Sequence, residues 1–371
     1  MAVFSILRRG AVVTASTVLV AAAAGTAPAE AAVAPVGHVF VINLENKGFA
    51  ETFGPSSPAP YLSRTLVAKG NLLTQYYGTA HNSLPNYVAQ ISGQGPNPQT
   101  QGDCQVYSDF AGAGTVAPQQ AVGTGCVYPA SVRTLADQLT ATGRSWKGYM
   151  EDMGADPSRE SATCGHPALN SVDDTQQAEV GDQYAARHDP FVYFHSIIDR
   201  PAYCSAHVVP LDRLGTDLET VASTPALSYI TPNLCHDGHD SPCVDGEPGG
   251  LVSADAFLEA WVPRILASPA YRRDGLLVIT FDESDGPEQD SSACCGEGPG
   301  PNSPLPGITG LGGGLVGAVV LGPSVEPGSR SDRTYNHYSL LGSIEDLFGL
   351  PHLGYAATVT HRFGADVYTA R

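Results

Sequence analysis

Short apolar runs recur along this chain, separated by longer amphipathic or polar stretches. Residues 38–44 (HVFVINL) and 275–280 (GLLVIT) are almost continuously apolar, which is typical of strands buried on both faces of a sheet. Further strands are predicted at residues 72–77, 145–150, 191–197, 227–231 and 315–321. Helices are predicted at residues 61–69, 132–142, 211–221, 254–266 and 338–349, and from Ser83 onward. This alternation predicts an α/β fold with a mostly parallel sheet covered on both faces.

The stretch 76–93 (YYGTAHNSLPNYVAQISG) joins a strand to a helix through a turn. Pro85 suits a first helical turn, so the helix should begin near Ser83. A serine at a helix N-terminus lies beside free backbone N–H groups, which makes an anion site that already contains a nucleophile. Taken alone, the stretch also allows the simpler interpretation that Ser83 only caps the helix.

Polar side chains follow several of the predicted strands at their carboxyl ends. They are Glu45 and Asn46, Ser83, Asp237 and His239, and Asp282 and Glu283. Because ligands bind at this edge of open α/β sheets, we expect these side chains to converge. Converging carboxylates must be neutralised, and a divalent metal ion commonly does this. A set of oxygen ligands favours Mg, Ca or Mn.

The first 31 residues have the pattern of an export signal. Arg8 and Arg9 precede an apolar, alanine-rich run, and Ala29-Glu30-Ala31 resembles a cleavage site. The sequence therefore predicts a secreted protein cleaved near Ala31. Residues 32–371 show no repeat or composition break, so we expect one catalytic domain, with a Gly/Pro-rich insertion at 285–314. That insertion could cover the site as a lid or form a surface loop.

The composition is strongly acidic, with a net charge of −18 at pH 7. A chain with this charge is not expected to bind nucleic acid or an anionic membrane, which select basic surfaces. No stretch outside the signal is apolar over the about 20 residues that a spanning helix needs, so stable membrane insertion is not expected. If the substrate is an anion, a metal ion would have to reverse the local charge.

The eight cysteines of an exported protein are expected to form disulfides. Proximity in sequence suggests the pairs Cys104 with Cys126, Cys164 with Cys204, and Cys235 with Cys243. Cys294 and Cys295 are adjacent and are not expected to bond to each other. A zinc site is the alternative, but the chain contains no CxxC pair.

Five collinear segments resemble one known family. They are ENKGFAETFG, HNSLPNYVAQISG, ITPNLCHDGHD, TFDESDG and NHYSLLGSIEDLFGLPHLGYA, which together extend over residues 45–356. They look like the phosphoesterase family of secreted acid phosphatases and non-specific phospholipases C, within the alkaline phosphatase superfamily. They also resemble mycobacterial-type secreted acid phosphatases that act on phosphatidylinositol 3-phosphate. This resemblance implies a three-layer α/β/α sandwich of the alkaline phosphatase type.

The resemblance also implies roles for individual residues. Ser83 matches the family's nucleophile. Glu45, Asn46, Asp282 and Glu283 match its metal ligands, with the Ser83 hydroxyl also facing the ion. The catalytic histidine would be His239, with Asp237 beside it, and His188 resembles another histidine of the pocket. Asn46 and His81 are candidate phosphate contacts, His337 has a structural alternative, and His195 is interpreted as peripheral.

These roles predict a metal-dependent phosphomonoesterase that forms a phosphoserine intermediate. N–H groups of the helix and Asn46 would stabilise the phosphoryl oxygens, and His239 would protonate the leaving alcohol, best at mildly acidic pH. The substrate would be a phosphorylated small molecule or a lipid head group. The main alternative is a phospholipase C or phosphodiesterase of the same family. A serine esterase would need a GxSxG elbow, which is not present, and a binding protein with a relict site would have lost ligands that are intact here.

Overall fold

The fold was analysed in a computed structural model that describes residues 1–5 and 36–369. The predicted export signal, apart from its first five residues, lies outside the described residues. By their internal contacts the residues fall into two units, Met1–Ala32 and Val33–Arg371. No helix in the described part combines the length and the apolar character needed to cross a membrane.

The secondary structure alternates between strands and helices along the second unit. The strands are β1 (His38–Leu44), β2 (Asn71–Tyr77), β3 (Ala111–Val116), β4 (Gln120–Thr124), β5 (Trp146–Met150), β6 (Val208–Pro210), β7 (Leu227–Thr231), β8 (Gly275–Phe281), β9 (Ala318–Leu321) and β10 (Ser329–Asn336). The helices are α1 (Phe49–Phe53), α2 (Ser83–Ser92), α3 (Leu135–Ala141), α4 (His195–Ile198), α5 (Pro201–His207), α6 (Arg213–Asp217), α7 (Gly250–Ala267), α8 (Pro269–Asp274) and α9 (His337–Phe348). A π-helical turn, Tyr61–Leu66, and 3-10 turns such as Ala186–His188 and Pro190–Tyr193 connect them.

Eight strands form one sheet in the order β10-β2-β9-β8-β1-β7-β5-β6. Only β9 runs antiparallel to its neighbours, β2 and β8, and every other neighbouring pair is parallel. The prediction of a mostly parallel sheet is therefore confirmed. β3 and β4 form a separate hairpin.

Helices cover both faces of the sheet. All residues of β1 and β8 are buried, as their continuous apolar sequences predict. On one face of β1, Asn43 accepts a hydrogen bond from Gln90 of α2 at 2.8 Å. On the other face, Phe40 contacts Tyr271 of α8, with ring centres 6.4 Å apart. Because side chains alternate along a strand, α2 and α8 lie in opposite layers, and the three-layer prediction is confirmed.

The parallel register brings polar residues together at one edge of the sheet. Leu44 at the end of β1 pairs with Phe281 at the end of β8. The next residues, Glu45 and Asp282, therefore leave the sheet side by side. β7 also runs parallel to β1, and the loop after it returns to this edge, where the Glu45 N–H donates to the carbonyl of Asp237 at 2.8 Å.

Some segments differ from the sequence prediction. Residues 191–197 form a 3-10 turn followed by α4 and not a strand, because Pro190 begins the turn and the Asp189 side chain accepts a hydrogen bond from the Phe191 N–H at 3.1 Å. The predicted helix at 211–221 is reduced to α6. The edge strand β10, with a polar and partly exposed sequence, was not predicted.

All eight cysteines are paired. The predicted pairs Cys104–Cys126, Cys164–Cys204 and Cys235–Cys243 are confirmed. The expectation for the other two was wrong, because Cys294 bonds to its neighbour Cys295, with their Cα atoms 3.7 Å apart. The six remaining cysteines are consumed by the three longer bridges, so the adjacent thiols have only each other as partners.

Candidate active site

Ser83 lies at the end of the turn that connects β2 to α2. It is the first residue of the helix, and the capping position before it belongs to Asn82, whose φ of 61° turns the chain sharply. The amide of Asn86 fixes the preceding turn by accepting hydrogen bonds from the N–H groups of Thr79 and Ala80 at 2.9 and 3.0 Å. The turn therefore holds the Ser83 side chain in a defined position, 3% exposed.

Glu45 is the side chain that contacts Ser83 directly. The Ser83 hydroxyl donates to Glu45 Oε2 at 2.7 Å, and the Tyr87 hydroxyl donates to Glu45 Oε1 at 2.5 Å. His188 Nε2 lies 3.5 Å from Oε2. Burial, followed by the charges of Asp282 and Asp237, raises the pKa of Glu45 well above its ordinary value.

Asn46, Asp282 and Glu283 lie beside Glu45, and together with Ser83 and Asp237 they form a polar cluster. The Asn46 N–H donates to Asp282 Oδ1 at 3.0 Å, and its amide Nδ2 donates to Glu283 Oε1 at 2.9 Å. Burial raises the pKa of both Asp282 and Glu283. Two buried oxygens in this group, Asn46 Oδ1 and Asp282 Oδ2, have no hydrogen-bond partner among the described residues. Buried polar atoms without partners are uncommon and call for an explanation.

His81 is bound on both sides of its ring. Nδ1 contacts the carboxylate of Glu283, and Nε2 lies 2.9 Å from the carbonyl of Asp290 in the insertion. Burial lowers the pKa of the imidazole. Both nitrogens are thus engaged within the protein, and His81 orients Glu283 in this arrangement.

His188 lies between two carboxylates. Its Nδ1 is 3.3 Å from Asp237 Oδ2, and its ring stacks on Tyr87. Burial, reinforced by the nearby charge of Arg187, lowers the pKa of His188 well below its ordinary value, which favours the neutral form of the ring. Burial raises the pKa of Asp237.

His239 lies at the rim of the cluster. Its backbone N–H donates to Asp237 Oδ1 at 2.8 Å, while its ring turns outward to Asp240, with 2.7 Å between Nδ1 and Oδ1. Its side chain is 42% exposed. The hydrogen bond to Asp240 raises the pKa of His239, which favours an imidazolium in contact with solvent.

His337 lies buried behind the site, and His195 lies at its periphery. His337 is fully buried, and its Nε2 lies 2.5 Å from the carbonyl of Asp282. His195 is held by the exposed carboxylates of Asp199 and Asp109, at 2.8 and 3.0 Å. A structural role for His337 and a peripheral position for His195 agree with these contacts.

Three neighbours of the cluster were not identified from the sequence. Tyr87 lies four residues after Ser83, which places both side chains on the same face of α2. Asp103 lies in a loop with no local signal, and its Oδ1 accepts the Leu84 N–H at 3.0 Å. A carboxylate of the chain therefore already occupies a helix-terminal donor that was predicted to face phosphate. Arg187 is buried nearby, and its Nη1 donates to the carbonyl of Gln176 at 2.9 Å.

The cluster has the chemistry of a divalent-metal site. Among the described residues, only histidine side chains lie within ion-pair distance of Glu45, Asp237 or Glu283, and burial lowers the pKa of both, His81 and His188. The carboxylate, amide and hydroxyl oxygens match the donors that Mg, Ca and Mn prefer, and the predicted ligands Asn46 and Asp282 each carry an unpartnered buried oxygen, as does Asp237. These residues thus fit such an ion.

Tighter groups of possible ligands occur elsewhere in the described residues. In three groups the ligand atoms lie within 4.8 Å of one another. Each group contains a cysteine that is bound in a disulfide, so its sulfur is not a thiolate. The carboxylates of Glu45, Asp282 and Glu283 do not form so tight a group. They fit a metal ion by their donor type and by the unpartnered Oδ2 of Asp282.

Comparison with known proteins identifies a family. The Phosphoesterase family model matches residues 56–351. The chain is 25% identical over 315 residues to a probable acid phosphatase of Kluyveromyces lactis, covering 85% of this chain and 59% of that protein. It is 26% identical over 328 residues to a phosphatidylinositol-3-phosphatase of Mycobacterium tuberculosis, covering 88% and 82%. The chain thus spans less than two thirds of the Kluyveromyces relative.

Two solved structures are similar to this chain. A structure from Bacteroides thetaiotaomicron, described in connection with the metabolism of multiple glycosaminoglycans, superposes with a TM-score of 0.51 at 10% identity, covering 90% of this chain and 82% of that one. A Vibrio parahaemolyticus protein in the alkaline phosphatase superfamily gives a TM-score of 0.47 at 12% identity, covering 86% and 68%. Similarity at this level of identity concerns the fold alone.

Proposed function

The chain belongs to the phosphoesterase family, and we propose that it is a secreted, metal-dependent phosphomonoesterase of the acid phosphatase type with Ser83 as nucleophile. The observation that carries this proposal is the hydrogen bond from the Ser83 hydroxyl to buried Glu45 Oε2, at 2.7 Å, beside two further buried acidic residues. A serine at a helix N-terminus next to an oxygen-rich cluster is suited to attack a phosphate ester.

The residues of the chain divide the work between them. Glu45 Oε2 accepts the hydrogen bond of the Ser83 hydroxyl and so orients Oγ for in-line attack on phosphorus. His239, at the rim and with a raised pKa, donates a proton to the leaving alcohol oxygen as the P–O bond breaks. The Ser83 proton passes to Glu45 Oε2 as Oγ attacks. A water molecule then attacks the phosphoserine and gives its proton to His239, and the leaving Ser83 oxygen takes back the proton held by Glu45, which releases phosphate and the free serine hydroxyl.

A divalent ion held by Glu45, Asn46, Asp282, Glu283 and the Ser83 hydroxyl would supply positive charge for the phosphoryl oxygens and lower the pKa of the nucleophile. Three of these side chains have pKa values raised by burial, which is the state expected of carboxylates arranged to receive a cation. Asn46 and Glu45 precede the segment that the family model matches, so their assignment rests on the resemblance of their motif and on the geometry.

We expect the hydrolysis to prefer acidic pH because of His239. An imidazole whose pKa is raised stays protonated over more of the neutral range, and the acid form is the one that serves the leaving group. The Mycobacterium relative is named a phosphatidylinositol-3-phosphatase. We therefore include phosphoinositides, with sugar phosphates and nucleotides, among the candidate substrates. Disulfides and the N-terminal signal pattern support secretion.

Phosphate release by the secreted, full-length protein tests this function. We expect p-nitrophenyl phosphate to be hydrolysed in preference to its bis-ester, with loss of activity in EDTA and recovery when Mg, Ca or Mn is returned singly. Ser83→Ala should abolish turnover, whereas Ser92→Ala, at the other end of α2, should retain it. Preference for the diester would establish a phosphodiesterase, and substantial turnover by Ser83→Ala would exclude the proposed nucleophile.

A further inference from the structure

A cavity lies between the insertion and α9, and Thr79 of the turn before Ser83 contributes to its lining. It has a volume of about 140 Å³ and is enclosed by the insertion, the start of α9 and the segment after it. Tyr338 and Tyr355 form its aromatic wall, and Cys295 of the vicinal disulfide contributes to its rim. Thr79 is the lining residue nearest in sequence to Ser83, and none of the candidate catalytic residues lines it.

The two tyrosines of this cavity form a rigid aromatic corner. Their rings meet edge to face, with 5.2 Å between centres and 60° between planes. Tyr338 is buried, while Tyr355 is partly open to the cavity. Its hydroxyl makes no hydrogen bond to the described residues. It lies 3.6 Å from the position that a Cβ atom at residue 300, a glycine, would occupy. The wall therefore presents aromatic surface and one free hydroxyl group.

One acidic side chain gives the cavity its charge. Glu297 is held in place by the Cys295 N–H, which donates to Oε2 at 2.6 Å, and by the amide of Asn336, which donates to Oε1. The described residues that line the cavity include no lysine or arginine. A fixed carboxylate is thus placed beside aromatic surface with no positive partner on the wall.

This combination selects a particular kind of ligand. Aromatic faces attract cations, most strongly when water is excluded, and an anchored carboxylate supplies the complementary charge. A phosphate or sulfate would meet the negative charge of Glu297 and no cationic side chain. A neutral molecule of the same shape would gain the packing contacts without the electrostatic attraction.

We propose that this cavity between the insertion and α9 is a binding site for a small organic ammonium ion. Tyr338 and Tyr355 contact its apolar groups, and Glu297 faces its charge. Cys295 of the vicinal disulfide and Pro306 line the cavity on the side of the insertion. This site is separate from the candidate catalytic residues and does not depend on the proposed hydrolysis.

Isothermal titration of the full-length protein with choline tests the proposal. The reference ligand is its neutral isostere, in which a tert-butyl group replaces the trimethylammonium group. We expect choline to bind saturably at one site and the isostere to bind at least about tenfold more weakly, since the isostere lacks the charge that the carboxylate and rings attract. Equal binding of the two compounds, or no saturable heat with choline, would overturn the proposal.

Matched variants locate the binding site. Glu297→Gln should weaken choline binding by about tenfold or more, whereas Glu288→Gln removes the same charge from an exposed position of the same insertion and should bind normally. Tyr355→Leu should weaken binding, and Tyr355→Phe, which keeps the ring, should bind like the parent protein. Unfolding temperatures of all variants verify that they fold. Normal choline binding by Glu297→Gln would assign the charge recognition elsewhere and refute this site.

Discussion

The ring of Tyr87 lies parallel to the imidazole of His188, with 5.3 Å between their centres and 6° between their planes. The same tyrosine donates its hydroxyl hydrogen to Glu45. Burial, reinforced by the charge of Glu45, raises the pKa of Tyr87 well above its ordinary value, so the hydroxyl remains a donor. Tyr87 therefore positions two members of the candidate active site from within α2.

Tyr87→Phe should lower kcat by about tenfold and change KM less, because a hydrogen bond to a charged group is lost. The bond from Tyr87 lowers the pKa of Glu45. Its removal raises that pKa further, so the acidic limb of the kcat/KM profile should move to higher pH. A pH–rate profile measures this shift. An unchanged acidic limb with reduced stability would reduce Tyr87 to a packing residue.

Asp103 places a carboxylate on the Leu84 N–H at the start of α2. Asp103→Asn removes that negative charge while keeping a residue type that accepts the local φ of 52°. We expect inorganic phosphate to inhibit the variant about three- to tenfold more strongly, since an anion would no longer compete with a fixed carboxylate. The control is Asp212→Asn at an exposed position. Weaker inhibition by phosphate would mean that Asp103 supports the substrate site.

Local sequence patterns predict the framework of the site. β1 and β8 are recognisable because strands buried on both faces must be apolar throughout, and the start of α2 follows from Pro85 and the apolar positions after it. Glu45 and Asp282 could then be placed at the same edge from strand polarity alone. The register of Leu44 with Phe281 agrees with that placement.

Contacts between distant segments were not predictable in the same way. The contact of His81 with Glu283 joins residues 202 positions apart, and neither segment carries a local sign of it. β10 is polar because it lies at the sheet edge, where only part of its surface is buried. The run at 191–197 is as apolar as a strand because it is buried, and burial alone does not distinguish a strand from a buried turn.

Glu160 should make the protein less stable as the pH rises. Burial, with the nearby charge of Asp182, raises its pKa from 4.5 to about 7. The folded state therefore binds more protons than the unfolded state between these values, so stability falls as the pH passes through this range and stays lower above it. Glu160→Gln should increase the free energy of unfolding by about 1–2 kcal/mol at pH 8, with little effect at pH 4.

Urea unfolding of Glu160→Gln at these two pH values, beside Glu179→Gln at an exposed position, provides the measurement. One oxygen of Glu160 accepts the Gly154 N–H at 2.7 Å, and glutamine can keep that bond. A stability difference that does not depend on pH would show that Glu160 has the same pKa in the folded and the unfolded protein.

The disulfides should differ in their contribution to stability according to the loop that each closes. Cys164–Cys204 closes a separation of 40 residues and Cys235–Cys243 one of 8, with Cys104–Cys126 between them at 22. Chain entropy predicts that the double serine variant of the longest loop loses about 1.4 kcal/mol more than that of the shortest. Urea unfolding of the three double variants gives the order. The reverse order would mean that native packing around each bridge outweighs loop entropy.

Metal removal should destabilise the protein more at high pH than at low pH. Burial raises the pKa values of Glu45, Asp282 and Glu283. Without a cation, the folded protein therefore becomes less stable as the pH rises through these folded-state pKa values. A bound ion needs the same groups ionised, and at a hundredfold excess over its dissociation constant it adds about 2.7 kcal/mol.

The unfolding temperature, measured with EDTA and with Mg, Ca or Mn at pH 5 and pH 8, tests this expectation without reference to turnover. The difference in unfolding temperature between the metal-loaded and the EDTA-treated protein should be larger at pH 8 than at pH 5. In the double variant Asp282→Asn with Glu283→Gln, this difference should nearly vanish, because two ligands are replaced by neutral amides of the same size. The pH dependence of the EDTA-treated variant should also be flatter, since two of the titrating carboxyl groups are gone. Identical unfolding temperatures with and without each metal at both pH values would show that this cluster does not hold a divalent ion.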